Sequence, residues 1–464
     1  MIDFRNIEGI YFVGIGGIGM SALALYFSKG GYSIAGYDRI ESKITVALIE
    51  TGCTISYEDE TDGLPELFRN IAHKDNVIIV YTPAIPSESR ILSHFRDNGY
   101  RLYKRSEILG EISSHTDTLA IAGTHGKTSV STMTAHLLKQ SSVDCSAFLG
   151  GISKNYGSNL LLGESRYTVM EADEFDRSFH RLSPLMAVIT SLDADHLDIY
   201  GTRETMVEAY NIFCSKIRIG GTLIVNSKIR KEIIVPDGVS CFTYGLDPRS
   251  DYKAMCIVRT DDLYKFNIKT PNTVIKDIHF SFPGIINIEN FTAAIAIALK
   301  CGVTEPEIRK AVLLFQGVKR RFDIRINQQG LTYIDDYAHH PEEIRACIAS
   351  VKEYYKGRKI TGIFQPHLFS RTLDHADGFA EILDVLDEVI LLPIYPAREK
   401  PIEGVSSEMI LSKMKSGNKR LLAKSDIPDK LDVSNLDVLI TIGAGDIDTL
   451  VKPIEDKLRK ERAC

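Results

Sequence analysis

The run Gly123-Thr124-His125-Gly126-Lys127-Thr128-Ser129 brings together the residue types that hold a triphosphate. Glycines let backbone amides wrap phosphate oxygens, the lysine is a point charge for the β and γ phosphates, and the hydroxyl after it can ligate Mg²⁺. A complete loop of this kind has an earlier glycine, at what would be position 121, where Ile121 stands. Two acidic runs, Glu171-Ala-Asp173-Glu174-Phe-Asp176 and Asp195-His196-Leu-Asp198, read as strand ends at which a carboxylate could face that metal. Taken alone, each is equally a solvated acidic turn.

A second glycine run, Gly14-Ile-Gly16-Gly17-Ile-Gly19, follows an apolar strand and precedes a helix, with Asp38 spaced to meet a ribose hydroxyl. Its glycines allow a diphosphate to approach the helix N-terminus. NAD, FAD, a nucleotide sugar or a bare tight turn all satisfy it, so a dinucleotide-dependent oxidoreductase and a silent sugar-nucleotide binder stay open. Further on, Asp335-Asp336-Tyr337-Ala-His339-His340-Pro341 and Gln365-Pro-His367-Leu368-Phe-Ser370-Arg371 each follow a strand. Adjacent histidines cannot both point one way, so substrate contacts suit them better than one zinc ion.

These residues need elements to position them. Apolar runs predict strands over 9–13, 33–37, 77–81, 118–122, 167–170, 186–190, 332–334, 360–364, 389–392 and 438–442. Helical signals cover 20–29, the stretch from the phosphate loop to Leu138, and 285–300, while 230–282 reads as irregular and strand-like. Alternating strands and helices imply α/β architecture with parallel sheets. At 464 residues, three domains are expected, each with its own core: 1–106, 107–318 and 319–464.

Composition narrows the function. A net charge of -6 lacks the basic footprint of nucleic-acid binding. The eight cysteines form no CxxC pair and read as buried reduced thiols. No 18-residue apolar stretch or signal-like leader is apparent, so a cytoplasmic protein without membrane partners is expected.

With these pieces assembled, the sequence resembles the Mur ligase family. The likeness runs through GIGGIGMSALA at 14–24, GTHGKTS at 123–129, EADEFDRSF at 171–179, DADHLDIYG at 193–201, GVKRRF at 317–322, DDYAHHPEEI at 335–344, FQPHLFSRT at 364–372 and GAGDI at 443–447. It implies a Rossmann-like N-terminal domain for a uridine sugar nucleotide, a central ATPase domain of P-loop type, and a Rossmann-like C-terminal domain for the acceptor. The implied reaction joins L-alanine to the lactyl carboxylate of UDP-N-acetylmuramate, using ATP with Mg²⁺ or Mn²⁺, in peptidoglycan stem-peptide synthesis.

By the same likeness, Gly16 and Gly17 would face the sugar nucleotide's diphosphate. Gly123 to Ser129 would hold ATP, with Lys127 on the γ-phosphate and Thr128, Glu171 and His196 at the metals. Asn287 and Asn290 would approach adenine, and Arg321 and Asp336 would complete the nucleotide site. Tyr337, His339, His367 and Arg371 would line the amino-acid and sugar-lactyl side. Lys127, Glu171, His196 and Arg371 are thus the expected catalytic set, with His339 and His196 as candidate bases for the incoming amine.

Two positions depart from the pattern: Ile286 where many relatives carry histidine, and Leu368 where some carry arginine. The segment Glu208–Phe213 lacks the lysine that ligases adding later residues carbamylate, which resembles the alanine-adding member. A relative that attaches a tripeptide to the same nucleotide is the nearest rival. Oligomeric state is left open, a homodimer among the options.

Overall fold

Near-continuous apolar runs bounded by glycine or proline suit strands buried on both faces, and here they build three sheets. The computed structural model describes residues 2–462 except 3, 5, 83, 84, 87, 194–196, 261, 262 and 398. The first sheet holds β1 (Gly9–Val13), β2 (Ser33–Tyr37), β3 (Thr54–Ser56), β4 (Val77–Tyr81) and β5 (Leu102–Lys104). Their order is β3-β2-β1-β4-β5 and every pairing is parallel.

The second sheet contains β6 (Asp117–Ala122), β7 (Ser146–Phe148), β8 (Leu160–Leu161), β9 (Tyr167–Glu171), β10 (Met186–Ile189) and β11 (Thr222–Asn226). It continues through β12 (Ser240–Gly245), β13 (Tyr252–Arg259), β14 (Tyr264–Lys269) and β15 (Val274–Phe280). Among the described residues its order is β15-β14-β13-β12-β11-β10-β6-β9-β7-β8. β6 lies between β10 and β9, parallel to both, so the loops after these three strands emerge side by side at one edge. Ligands gather at that carboxyl edge in open α/β sheets.

The third sheet runs β16 (Asp323–Gln328), β17 (Leu331–Asp336), β21 (Val438–Ile442), β18 (Ile360–Phe364), β19 (Glu388–Leu391), β20 (Lys419–Leu421) in spatial order. Among the described residues only the β16–β17 pair of this sheet is antiparallel.

By packing, the chain forms two compact units, 1–281 with 289–316, and 282–288 with 317–464. The first sheet has an apolar cluster of its own around Tyr11, Ile79 and Phe95. The first two sheets share one apolar cluster that runs from Ile10, Phe12 and Phe27 through Ile108 to Met170, Phe179 and Phe213. Tyr26 meets Phe148 with ring centroids 5.3 Å apart, and the Asn159 amide donates to the Ser21 hydroxyl at 3.3 Å. The second unit has its own cluster around Tyr333, Ile363, Leu439 and Leu458.

Three expectations change. The 230–282 stretch is the ordered run β12 to β15, with β13–β15 antiparallel. β10 ends at Ile189, short of the expected Thr190, and Asp195 and His196 of the second acidic run lie outside the described residues. Among the described residues five cysteines are buried, but Cys241 is half-buried and Cys256 is exposed. No helix among the described residues is long and apolar enough to cross a membrane.

One buried polar contact sets a pH limit on the first unit. His136, fully buried on the helix Lys127–Lys139, has Nε2 at 2.9 Å from the Ala311 carbonyl oxygen and Nδ1 at 3.1 Å from the Tyr156 hydroxyl. A carbonyl only accepts, so Nε2 carries the proton and the neutral ring satisfies both partners. Burial pushes this imidazole down to about 4, against only partial compensation from the carbonyl. The unfolded chain binds that proton near 6.5, so the ring's contribution is whole above that pH and is lost as pH falls toward 4. Denaturant titrations at pH 7 and pH 5 should show the wild type losing about 2 kcal/mol more than His136→Gln between the two. Equal losses would remove His136 from the acid sensitivity.

Candidate active site

β6 feeds the chain into a turn that requires glycine twice. Gly123 has φ +134° and packs against Thr190, while Gly126 has φ +83° and caps the helix Lys127–Lys139 without any side-chain cap. The first amides of that helix are therefore left for an external anion. The loop is braced from the segment after β10. The Thr124 and Ser191 hydroxyls are 2.9 Å apart, the His125 amide donates to Ser191 Oγ at 2.7 Å, and the Asp193 amide donates to Thr124 Oγ1 at 3.1 Å. His125 Nε2 lies 3.7 Å from Asp193. Ser129 sits half-buried in the first helical turn, and Asn290 Oδ1 lies beside Gly126.

Lys127 turns back across its own loop. Its ammonium donates to the Gly123 carbonyl at 2.7 Å, the Thr124 carbonyl at 3.2 Å and Glu174 Oε1 at 2.7 Å. Burial is the largest single influence and opposes its charge, but the Glu174 carboxylate beside it, with Glu171 and Asp173, outweighs it and raises the lysine above its ordinary value. Next to it, Thr128 Oγ1 donates to Glu171 Oε1 at 3.0 Å. Glu171 Oε2 accepts from the Gly150 amide at 3.0 Å and from Ser131 Oγ at 3.3 Å. Gly150 leaves no room for a Cβ against that carboxylate. A hydroxyl and a carboxylate oxygen this close are a donor pair suited to a hard divalent cation. The structure brings Lys127, Thr128 and Glu171 together as expected, and His196 lies outside the described residues.

At the first glycine run, Gly16 N donates to Asp38 Oδ2 at 2.7 Å. Asp38 thus braces the turn itself, a role its ribose-type spacing did not suggest.

The second unit holds the other motifs. Asp336, at the end of β17, accepts from the Phe322 amide at 2.6 Å and the Ala338 amide at 2.8 Å, and burial raises its carboxyl above the ordinary value. Glu343, on the helix Pro341–Tyr354, lies 3.2 Å from His339 Nδ1 and 3.6 Å from Arg321. The Arg321 guanidinium also stands over the Tyr337 ring, 5.3 Å from its centroid. His339 and His367 rings are 5.9 Å apart, and Tyr337 and His339 5.4 Å. Burial lowers the His339 imidazole, with Glu343 opposing and the positive charge of Arg371 assisting. Asn287 donates to the Pro283 carbonyl at 2.6 Å, fixing the start of the helix Ile285–Lys300.

Sequence reasoning missed Glu174 and Glu343 as partners of Lys127 and His339. Glu343 could have been found from its four-residue spacing to His339 ahead of a helix. Glu174 lay within a motif already singled out, yet nothing local joins it to a lysine 47 positions earlier.

Comparison with known proteins gives the same picture from end to end. The Mur ligase family catalytic domain matches residues 9–116, the Mur ligase middle domain 121–298, and the Mur ligase glutamate ligase domain 320–447. A UDP-N-acetylmuramate–L-alanine ligase of Phocaeicola vulgatus is 46% identical over 99% of this chain and 100% of its own. One from Porphyromonas gingivalis is 48% identical over 97% of this chain and 99% of its own. The crystal structure of the UDP-N-acetylmuramate-alanine ligase of Thermotoga maritima superposes with a TM-score of 0.82 at 25% identity, covering 98% of this chain and 99% of that one. A murein peptide ligase from Psychrobacter arcticus shares the fold, with a TM-score of 0.69 at 21% identity over 97% and 98% of the two chains. Domain matches in the right order, full-length identity far above the level of fold likeness, and a phosphate loop with its acids in place agree: the chain belongs to the Mur ligase family.

Proposed function

We propose that this protein joins L-alanine to the lactyl carboxylate of UDP-N-acetylmuramate while converting ATP to ADP and phosphate, the first amino-acid addition to the peptidoglycan stem peptide. The observation that carries the reading is the Lys127, Thr128 and Glu171 constellation in a chain alike over its whole length to ligases of that name. The tripeptide-adding alternative has a solved structure of that name at 21% identity, against 46% and 48% for the alanine ligases. The oxidoreductase reading of Gly14 to Gly19 loses its ground with membership of a ligase family.

A carboxylate has no adequate leaving group, so it is first phosphorylated to an acyl phosphate, which the amine of alanine then attacks. Forming that intermediate brings a carboxylate against a triphosphate, two anions that repel. Lys127 and the amides of the Gly123–Gly126 turn supply fixed positive charge at that point, where low dielectric strengthens it. Thr128 and Glu171, with His196 added by family likeness, would hold Mg²⁺, which supplies Lewis-acid charge neutralisation on the phosphates. In this assignment Gly16 and Gly17 face the sugar nucleotide's diphosphate, and Asn287, Asn290, Arg321 and Asp336 serve the nucleotide. Tyr337, His339, His367 and Arg371 serve the acceptor side. A lowered imidazole leaves His339 neutral at physiological pH, as a base for the alanine ammonium must be. The domain limits 1–106, 107–318 and 319–464 and a cytoplasmic site of action belong to the same proposal.

Phosphate release measured with UDP-N-acetylmuramate, ATP and a panel of L-alanine, glycine, L-serine and tripeptide tests the acceptor; fastest turnover with tripeptide would overturn the assignment. Lys127→Ala should retain the wild-type circular dichroism spectrum while its turnover falls by about 100-fold or more, the scale of losing one fixed charge at the reacting group. Glu171→Gln should shift the Mg²⁺ titration of activity to at least about tenfold higher concentration. An unmoved midpoint would take Glu171 out of the metal site.

A further inference from the structure

The start of the helix Arg105–His115 lies against the glycine turn of the first sheet. The Arg105 guanidinium fills the space a Cβ at Gly19 would need, beside the first turn of the helix Ile18–Lys29. Its other end is anchored: Nη2 lies 3.2 Å from Asp173 Oδ2, and its side chain is only 22% exposed. Arg105, Ser106, Glu171, Asp173 and Ser178 line one narrow crevice, which puts this pair next to the proposed metal carboxylate.

Asp173 also accepts from the Phe175 amide at 3.0 Å, which fixes the turn it opens. The next residue, Glu174, is the one that holds Lys127 at 2.7 Å, and Tyr200 Oη donates to its carbonyl at 2.5 Å. Two residues on, Asp176 and Arg177 stand at φ +52° and +55°, left-handed conformations that persist only when neighbours impose them. Lys104, adjacent to Arg105, lies 3.1 Å from Asp176. The segment is thus held at Asp173 and Asp176 by two successive cations, Arg105 and Lys104, and itself holds the phosphate-loop lysine.

We propose that Arg105 is a positioning residue that couples the two nucleotide sites: a diphosphate bound at the first glycine turn draws the guanidinium from Asp173, loosening the grip of Glu174 on Lys127. Lys127 is then freed for the triphosphate, and by linkage a bound triphosphate favours the diphosphate to the same degree. The inference rests on placing the diphosphate at Gly16 and Gly17. Its charge logic needs no new contact: one cation is contested by a carboxylate and a diphosphate, and one lysine by a carboxylate and a triphosphate.

Calorimetric titration of the full chain with Mg²⁺ and a non-hydrolysable ATP analogue, without and with saturating UDP-N-acetylmuramate, reads the coupling directly. The wild type should bind the analogue about fivefold or more tightly when the sugar nucleotide is present. In Asp173→Asn, which keeps the side-chain shape and the Phe175 contact, this ratio should fall to about one. Both ligands should still bind singly. Wild-type coupling retained in Asp173→Asn, or no coupling in the wild type, overturns the proposal. Arg105→Ala separates the two layers: affinity for UDP-N-acetylmuramate unchanged there would refute the diphosphate placement. An affinity lowered in that variant while Asp173→Asn stays coupled would refute only the relay.

Discussion

An ammonium taken out of water at the start of a helix must find negative charge, and much of the first unit is arranged around that requirement for Lys127. A buried lysine without a counterion would lose its proton or unfold its surroundings. Glu174, itself almost wholly buried, supplies the counterion, and the Gly123 and Thr124 carbonyls take the other donors. The lysine is therefore kept charged before any nucleotide arrives. What a phosphate has to displace is a carboxylate already in register, so binding exchanges one ion pair for another and avoids stripping a solvated lysine. The three side-by-side strands β9, β6 and β10 make this arrangement achievable. Each ends at the same edge, and each contributes one part: the acids, the loop and the Thr190–Ser191 brace.

The second unit solves a similar problem with the opposite sign. Glu343 is a single anion shared by His339 and Arg321, and the Tyr337 ring offers its face to the same guanidinium. Four groups, from the segment before β16, the loop after β17 and the first turn of one helix, are thereby fixed with little side-chain freedom left, which is what preorganisation of a polar site demands. Because Glu343 and Arg371 act on His339 in opposite directions, the imidazole's neutrality is decided chiefly by burial.

Much of the frame was readable beforehand. β1, β2, β4, β18, β21 and the helix Ile285–Lys300 fall where apolar runs and periodicity placed them, since strands buried on both faces leave an unbroken signal. β14 is buried on one face only, with Tyr264, Phe266 and Ile268 inward and Lys265 and Lys269 outward, and its antiparallel partners lie beyond any local pattern. The phosphate loop and Glu171 were legible because their chemistry is written in consecutive residues. Glu174 was not, nor was the shared core of the first two sheets, because both depend on which segments the fold brings together. The bracing role of Asp38 has the same origin: its spacing from Gly16 fits either a ribose or an amide, and only the turn's closure decides.

Backbone strain shows why Asp336 matters beyond its charge. Arg320 and Phe322 stand at φ +62° and +47°, costly for side chains with a Cβ, and flank Arg321. Two consecutive carboxylates hold that conformation: Asp336 accepts the Phe322 amide at 2.6 Å, while Asp335, 3.3 Å from Arg320, is itself fixed by Thr441 at 2.7 Å. Burial raises both acids, Asp335 to about 6, so their charges are expensive and are kept by the amides and guanidinium they engage. Removing the Asp336 carboxyl altogether would leave the Phe322 amide without its acceptor and let the segment relax toward ordinary φ values. Arg321 would then no longer be aimed between Glu343 and Tyr337. The contribution of Asp336 therefore runs through the backbone of its neighbours, whatever ligand it also meets.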